Sequence, residues 1–285
     1  MVMSRMQYGS DYKKIPAYSM GSGSEMEVLP DLYSYTNKIV NVHMVGHPDE
    51  GHFVLVDAGL PDSTDEIIKV VEKRFGEGAK PEAIVLTHGH FDHVGSIIEL
   101  IEKWNVPAYA HKMELPYLTG QKPYPDPDPT VEGGMMAKTA PMFPKEPIDL
   151  AGNVYALPAD GTVPHMPGFE WIHTPGHTDG HVSFYRQSDG ALIVGDAFVT
   201  VQQDSLYKVM VQKKEIQGPP VYFTTDWKAA RASVEKLMSI EPYTAVFGHG
   251  KSLQGEELRE GLQYLAANFD DIALPSHGRY VDDEK

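Results

Sequence analysis

Five short apolar runs in this sequence each leave off at a histidine or an aspartate. HFVLVD (52–57) ends at Asp57, and AIVLT (83–87) runs straight into His88. FEWIHT (169–174) leads to His177, ALIVGD (191–196) ends at Asp196, and TAVFG (244–248) ends just before His249. Short apolar runs closed by glycine or by turn-forming residues read as buried strands. Amphipathic segments lie between them. Residues 63–75 space Ile67, Ile68, Val70, Val71 and Phe75 for a helix opened by Ser63 or Asp62. Residues 95–104, 225–238 and 255–270 read as further helices, and 106–111 as another strand. Strands alternating with helices predict an α/β chain, and sites in such sheets form beyond the carboxyl ends of the strands. The residue types delivered there are metal ligands.

The densest piece is THGHFDHVG (87–95), with His88, His90, Asp92 and His93 between a buried strand and a helix start. Gly89 lets the chain turn sharply there. Imidazole and carboxylate suit Zn, Fe, Mn or Co, and with no cysteine in the chain a thiolate site is excluded.

THGHFDHVG resembles the signature of the metallo-β-lactamase-fold hydrolases. Four further elements follow the order of that superfamily: VDAG (56–59), TPGHTDGH (174–181), VGDAF (194–198) and FGHG (247–250). The resemblance spans roughly residues 30–275. It implies an αββα sandwich of two mixed β-sheets flanked by helices, with a dinuclear site at one edge. Carried over, it puts His88, His90 and His177 on one metal and Asp92, His93 and His249 on the other, with Asp196 bridging. Asp57 would orient the histidine loop from behind. His181, the closest unassigned histidine, reads as a support of the site, a substrate-facing residue or a hydrogen-bonded structural histidine. The implied cofactor is two divalent ions, zinc first, with Fe, Mn or Co as alternatives.

Such a ligand set predicts a chemistry. Two ions sharing a water give a bridging hydroxide at neutral pH that attacks a carbonyl carbon. Asp92 stands where a carboxylate can pass a proton to the leaving group. The branches of the superfamily separate on single residues. Cysteine-liganded β-lactamases are excluded by composition, and His90 stands where flavodiiron proteins carry glutamate. HTPGHTDGH resembles the N-acyl-homoserine lactonases, yet their tyrosine three residues after the bridging aspartate is Val199 here. Tyr207 or Tyr222 would have to replace it. Basic residues like those of glyoxalase II do not fall in its pattern. The expectation is a glyoxalase-like or lactonase-like hydrolase of an ester, lactone or thioester. A phosphodiesterase-type metallohydrolase and a mononuclear iron enzyme like the persulfide dioxygenases are the alternatives, and a non-enzymatic metal-binding scaffold is a third.

Composition narrows the partners. With 40 acidic and 24 basic residues the net charge is −16, which argues against gripping nucleic acid and favours a small-molecule substrate. No apolar run approaches the roughly 20 residues that span a bilayer, and the N-terminal stretch has no apolar core of a secretory signal. A cytoplasmic enzyme without membrane attachment is expected. Residues 1–25 read as a mobile arm and 26–285 as a single domain. Residues 121–147 form a loop insertion with seven prolines, read as a substrate-side lid. The loop and the arm are also candidate contacts of a homodimer. Phe198, Tyr222, Phe223 and Trp227, with Met135, Met136, Met142 and Phe143 from the loop, are the candidate substrate-pocket residues.

Overall fold

The computed structural model describes residues 5–12, 19, 21–132, 134–200 and 216–281, without the side chains of 134–136. The segment expected as a single domain divides into two compact units. One comprises Met1–Tyr124 and Phe143–Pro167, the other Pro125–Met142 and Gly168–Lys285.

Among the described residues the first unit holds a seven-stranded sheet whose spatial order follows the chain. Its strands are β1 (Glu25–Leu29), β2 (Leu32–Asn37), β3 (Val40–Val45), β4 (Val54–Val56), β5 (Ala83–Val85), β6 (Ala108–Ala110) and β7 (Val154–Ala156). β2 and β3 form a hairpin. Lys38, at φ 60°, and Ile39 make the turn, so that Asn37 pairs with Val40. β1 to β4 are antiparallel and β4 to β7 parallel. Parallel neighbours need a crossover, which α1 (Thr64–Phe75) and α2 (Ile97–Trp104) supply. α1 buries Ile67, Val70 and Val71, and α2 buries Ile97, Leu100, Ile101 and Trp104, all in one core with Met44, Leu55, Ile84 and Leu86. Each such side chain contributes about 1.5–3 kcal/mol on leaving water. A short helix, α3 (Leu115–Leu118), follows β6.

The described part of the expected N-terminal arm is bonded to this unit. Gln7 bridges to Asp149, Asp11 Oδ2 accepts the Lys145 N–H at 2.8 Å, and the Tyr8 hydroxyl donates to Glu99 at 2.6 Å. Tyr8 and Tyr12 stack at 4.9 Å and pack against the core.

The second unit holds β8 (Phe169–His173), β9 (Val182–Arg186), β10 (Ala191–Ile193), β11 (Thr244–Val246) and β12 (Leu253–Gln254). Their spatial order is β12-β11-β10-β9-β8, and β10 and β11 are the parallel pair. This unit also contains α4 (Gly134–Thr139), α5 (Trp227–Ser239), α6 (Gly255–Ala267) and α7 (Phe269–Ile272). α5 and α6 bury Val234, Leu237, Leu258, Leu262 and Leu265 with Leu192, Val194, Ala245 and Phe247 of the sheet.

The Pro-rich segment is not structureless. Besides α4 it carries a 3-10 turn over Ala140–Met142. Its residues 126–132 are fastened to the chain near residue 280. The Arg279 N–H donates to Asp128, the Tyr280 hydroxyl donates to the Asp126 carbonyl at 2.7 Å, and Ser276 bonds Glu132. Among the described residues no helix is long and apolar enough to cross a membrane.

Candidate metal centre

Each unit brings one set of donors to the ends of a parallel strand pair. In the first unit Val56 of β4 lies beside Val85 of β5, so Asp57 and the loop opening at Thr87 leave the sheet side by side. Asp57 adopts φ 63°, a left-handed backbone that few non-glycine residues take, and is buried. Its carboxylate accepts three bonds of 2.8 Å: from Thr87 N–H, Thr87 O–H and His93 Nδ1.

This arrangement fixes two imidazole tautomers. A carboxylate only accepts, so the hydrogen of His93 sits on Nδ1 and Nε2 presents its lone pair. The Thr87 hydroxyl spends its hydrogen on Asp57, so at 3.1 Å from His88 Nδ1 it accepts, and His88 too presents Nε2. Two ligand nitrogens on one tetrahedral zinc at bonds of about 2.0–2.1 Å stand about 3.3 Å apart. His88 Nε2 and His90 Nδ1 are 3.1 Å apart. Asp92 Oδ2 lies 4.0 Å from His93 Nε2. All four residues are buried.

The second unit repeats the logic. Ile193 of β10 lies beside Val246 of β11, so Asp196 and His249 emerge together, with His177 from the loop after β8. Asp196 Oδ2 is 3.3 Å from His249 Nε2 and 3.6 Å from His177 Nε2. One carboxylate oxygen therefore faces two imidazole nitrogens. The Thr224 hydroxyl donates to the Pro220 carbonyl at 2.9 Å and accepts from His177 Nδ1 at 3.3 Å, again leaving Nε2 as the lone-pair nitrogen. His177 follows Gly176, at φ 130°, where a Cβ would come within 2.4 Å of the Ala230 nitrogen on α5. Only glycine lets that loop lie on the helix.

His181 is fully buried and both of its ring nitrogens are used. Nε2 accepts the Asp196 N–H at 2.9 Å, so Nδ1 donates to Thr174 Oγ1 at 2.8 Å. It clamps the backbone of Asp196. Its bonds describe a hydrogen-bonded histidine that holds the Asp196 backbone, with neither ring nitrogen left for a substrate.

Three side chains next to these donors carry no signal in the sequence. Thr224 is 47 residues from His177. Glu114 and Tyr124 meet the Gly89 amide from 25 and 35 residues away. Burial first, then the neighbouring Glu114 carboxylate, push the Tyr124 phenol well above its ordinary range, so it stays an O–H donor. Tyr12 is likewise raised, by burial and then by the carboxylates of Asp11 and Asp92.

The expected pocket residues separate. Phe198 is 0% exposed and meets Phe247 edge-on at 5.4 Å, within the apolar core of its unit. Trp227, at the start of α5, is 2% exposed in the same core. These two are packing residues, because the chain after Asp196 turns its large apolar side chain back beneath the sheet's helices. Phe198→Ala should therefore lower unfolding free energy by about 3–5 kcal/mol, read from denaturant midpoints. Wild-type stability with a changed substrate profile would restore the pocket role. Tyr222 is buried, while Phe223 is half-buried with its ring 6.5 Å from that of His177. Phe143 stacks on Phe91 at 5.3 Å, and Met142 is exposed. Tyr207 and the side chains of Met135 and Met136 lie outside the described residues.

Residues 35–249 match the family model of the metallo-beta-lactamase superfamily, well over half of the chain. The chain belongs to that superfamily. Probable metallo-hydrolase YflN of Bacillus subtilis (strain 168) is 44% identical over 259 residues, covering 90% of this chain and 98% of the relative. Probable metallo-hydrolase YybB of the same organism is 28% identical over 220 residues, covering 77% and 86%. A crystal structure of a metallo β-lactamase from Erythrobacter litoralis, with β-mercaptoethanol in its active site, covers 87% of this chain and 98% of its own. Its TM-score is 0.57 at 18% identity, a likeness of fold. The fold is the α/β metallo-β-lactamase fold, two mixed sheets with flanking helices. The superfamily binds divalent metals, this member carries buried His and Asp donors suited to them, and it is a metal-dependent hydrolase.

Proposed function

We propose that the chain holds two divalent metal ions, zinc first, and that the protein hydrolyses a small ester, lactone or thioester. His88, His90 and His177 take one ion, Asp92, His93 and His249 the other, and Asp196 bridges. The observation that carries this reading is Asp196 Oδ2, which stands 3.3 Å from His249 Nε2 and 3.6 Å from His177 Nε2, two histidines assigned to different ions. When bound, a pair of such ions supplies an activated water near neutral pH and polarises the carbonyl under attack. The chain's own residues do the rest. Asp57 and Thr87 hold His93 and His88 in the ligating tautomer, Thr224 does so for His177, and His181 fixes the Asp196 backbone. Asp92 takes the proton of the attacking water and returns it to the leaving group.

A carbonyl substrate with an apolar body is favoured by two features. Phe223 offers its half-buried ring beside His177. The net charge of −16 repels a polyanion at long range.

The test is a panel run on protein loaded with Zn, Mn or Co: p-nitrophenyl acetate, γ- and δ-lactones, a glutathione thioester and bis-p-nitrophenyl phosphate. Turnover is expected among the carbonyl compounds, together with two metals per chain by elemental analysis. Turnover of the phosphodiester without any carbonyl substrate would move the protein to the phosphodiesterase class. One metal per chain in place of two, or a single iron in protein as purified before loading, would point to the mononuclear class instead.

A further inference from the structure

We propose that Glu114 and Tyr124 are positioning residues for the metal-binding loop, setting the geometry of His88 and His90 through the peptide N–H of Gly89 between them. The inference rests on the reading of those two histidines as metal ligands.

Three observations meet at one atom group. The Gly89 N–H donates to Glu114 Oε2 at 2.9 Å and to the Tyr124 hydroxyl oxygen at 3.0 Å. The Tyr124 O–H in turn donates to the same Glu114 oxygen. A Cβ at position 89 would stand 2.6 Å from that hydroxyl oxygen, so only glycine admits the approach. Glu114 is 0% exposed, and Tyr124 is clamped flat on Tyr117 at 4.0 Å with its ring 4.5 Å from that of His90.

The physical consequence is local. Residues 88 and 90 share one intervening residue, so the peptide planes on either side of Cα89 set the directions of both side chains. A charge-assisted bond from a buried carboxylate holds the Gly89 amide more firmly than a neutral acceptor. The same carboxylate puts negative charge behind two imidazoles that face a dication. Burying a carboxylate is costly, and the cost is lower with a metal in front than without one. Glu114 therefore favours the loaded protein over the empty one, and Tyr124 orients it. Neither touches substrate in this account.

The experiment compares wild type with Tyr124→Phe, Glu114→Gln and Tyr117→Phe. The last removes a hydroxyl from the same ring stack, one that bonds Lys122 rather than Gly89. Each full-length protein is stripped of metal, checked by circular dichroism and thermal midpoint, and titrated with Zn²⁺ against a chromophoric chelator. The absorption spectrum of the Co²⁺-loaded protein is recorded alongside. Tyr124→Phe and Glu114→Gln are expected to bind one metal equivalent about tenfold more weakly. Their Co²⁺ bands should shift, and kcat should fall with KM unchanged, while Tyr117→Phe matches wild type. If Glu114→Gln does not fold, Tyr124→Phe, which keeps the ring, decides. Zn²⁺ affinity and a Co²⁺ spectrum like wild type in Tyr124→Phe would overturn the inference and leave the ligand reading intact. A wild-type protein that takes up no Zn²⁺ would overturn the ligand reading, and this inference with it.

Discussion

Replacing Asp196 by alanine should abolish hydrolysis and strip metal from the protein without unfolding it. Its Oδ2 faces both His177 Nε2 and His249 Nε2, so one substitution removes a donor shared by both ions. Metal ions stabilise the transition state by several kcal/mol, and every 1.36 kcal/mol is tenfold, so a loss of kcat/KM on the order of a thousandfold or more is expected. The stability readout runs the other way. Asp196 is a buried carboxylate beside imidazoles, and removing it from metal-free protein relieves a desolvation cost. The metal-free thermal midpoint should hold or rise, and the rise on adding metal should shrink. A ligand at 100 times its Kd stabilises by about 2.7 kcal/mol, and that increment is what the variant forfeits. Full metal content in Asp196→Ala would show that Asp196 does not bridge.

Asp57→Asn has the second largest expected effect, although Asp57 is not a proposed ligand. The carboxylate accepts three bonds, from Thr87 N–H, Thr87 O–H and His93 Nδ1. An asparagine of the same shape offers one oxygen and an amide that donates. If the oxygen stays on the Thr87 N–H, the amide faces the Thr87 hydroxyl and His93 Nδ1. His93 then moves its hydrogen to Nε2 and loses its donor lone pair. Thr87 no longer has to accept from His88, so the second tautomer is released as well. Metal affinity should fall about 10–100-fold, measured by chelator competition, with kcat falling in step. ¹⁵N shifts of the His93 ring nitrogens should report the exchanged tautomer. Wild-type affinity and an unchanged tautomer in Asp57→Asn would remove Asp57 from the account.

These two residues show what a sequence can point to and where it stops. Asp57, Asp196 and the histidines could be picked out because each stands at or within a few residues of the end of an apolar run, and strand ends in α/β folds are where sites form. The helix over 63–75 and those at 225–238 and 255–270 were legible from spacing and caps, and the structure places them at Thr64–Phe75, Trp227–Ser239 and Gly255–Ala267. Phe198 shows the limit. Its position two residues after Asp196 suggested the site, but a chain leaving a strand can turn its next large side chain either way, and here it turns into the core beside Phe247. The segment 1–25 shows another limit. Its polar composition hides Tyr8 and Tyr12, whose rings pack against a core assembled from residues distant in the chain, with the Tyr8 hydroxyl accepting the Ile98 N–H.

By itself the sequence determined the chemistry that can be held: imidazole and carboxylate donors, no thiolate, delivered by apolar strands in a set order. Those facts are local, since ligand type and strand ends are properties of a few adjacent residues. The tertiary structure decided which nitrogen His88, His93 and His177 present, and what holds the Gly89 peptide. Thr224 sets His177 from 47 residues away, Asp57 sets His93 from 36, and Glu114 reaches Gly89 from 25. A tautomer is fixed by whichever hydrogen-bonding group the folded chain brings against the other ring nitrogen, and a periodic pattern of apolar residues carries no record of that neighbour.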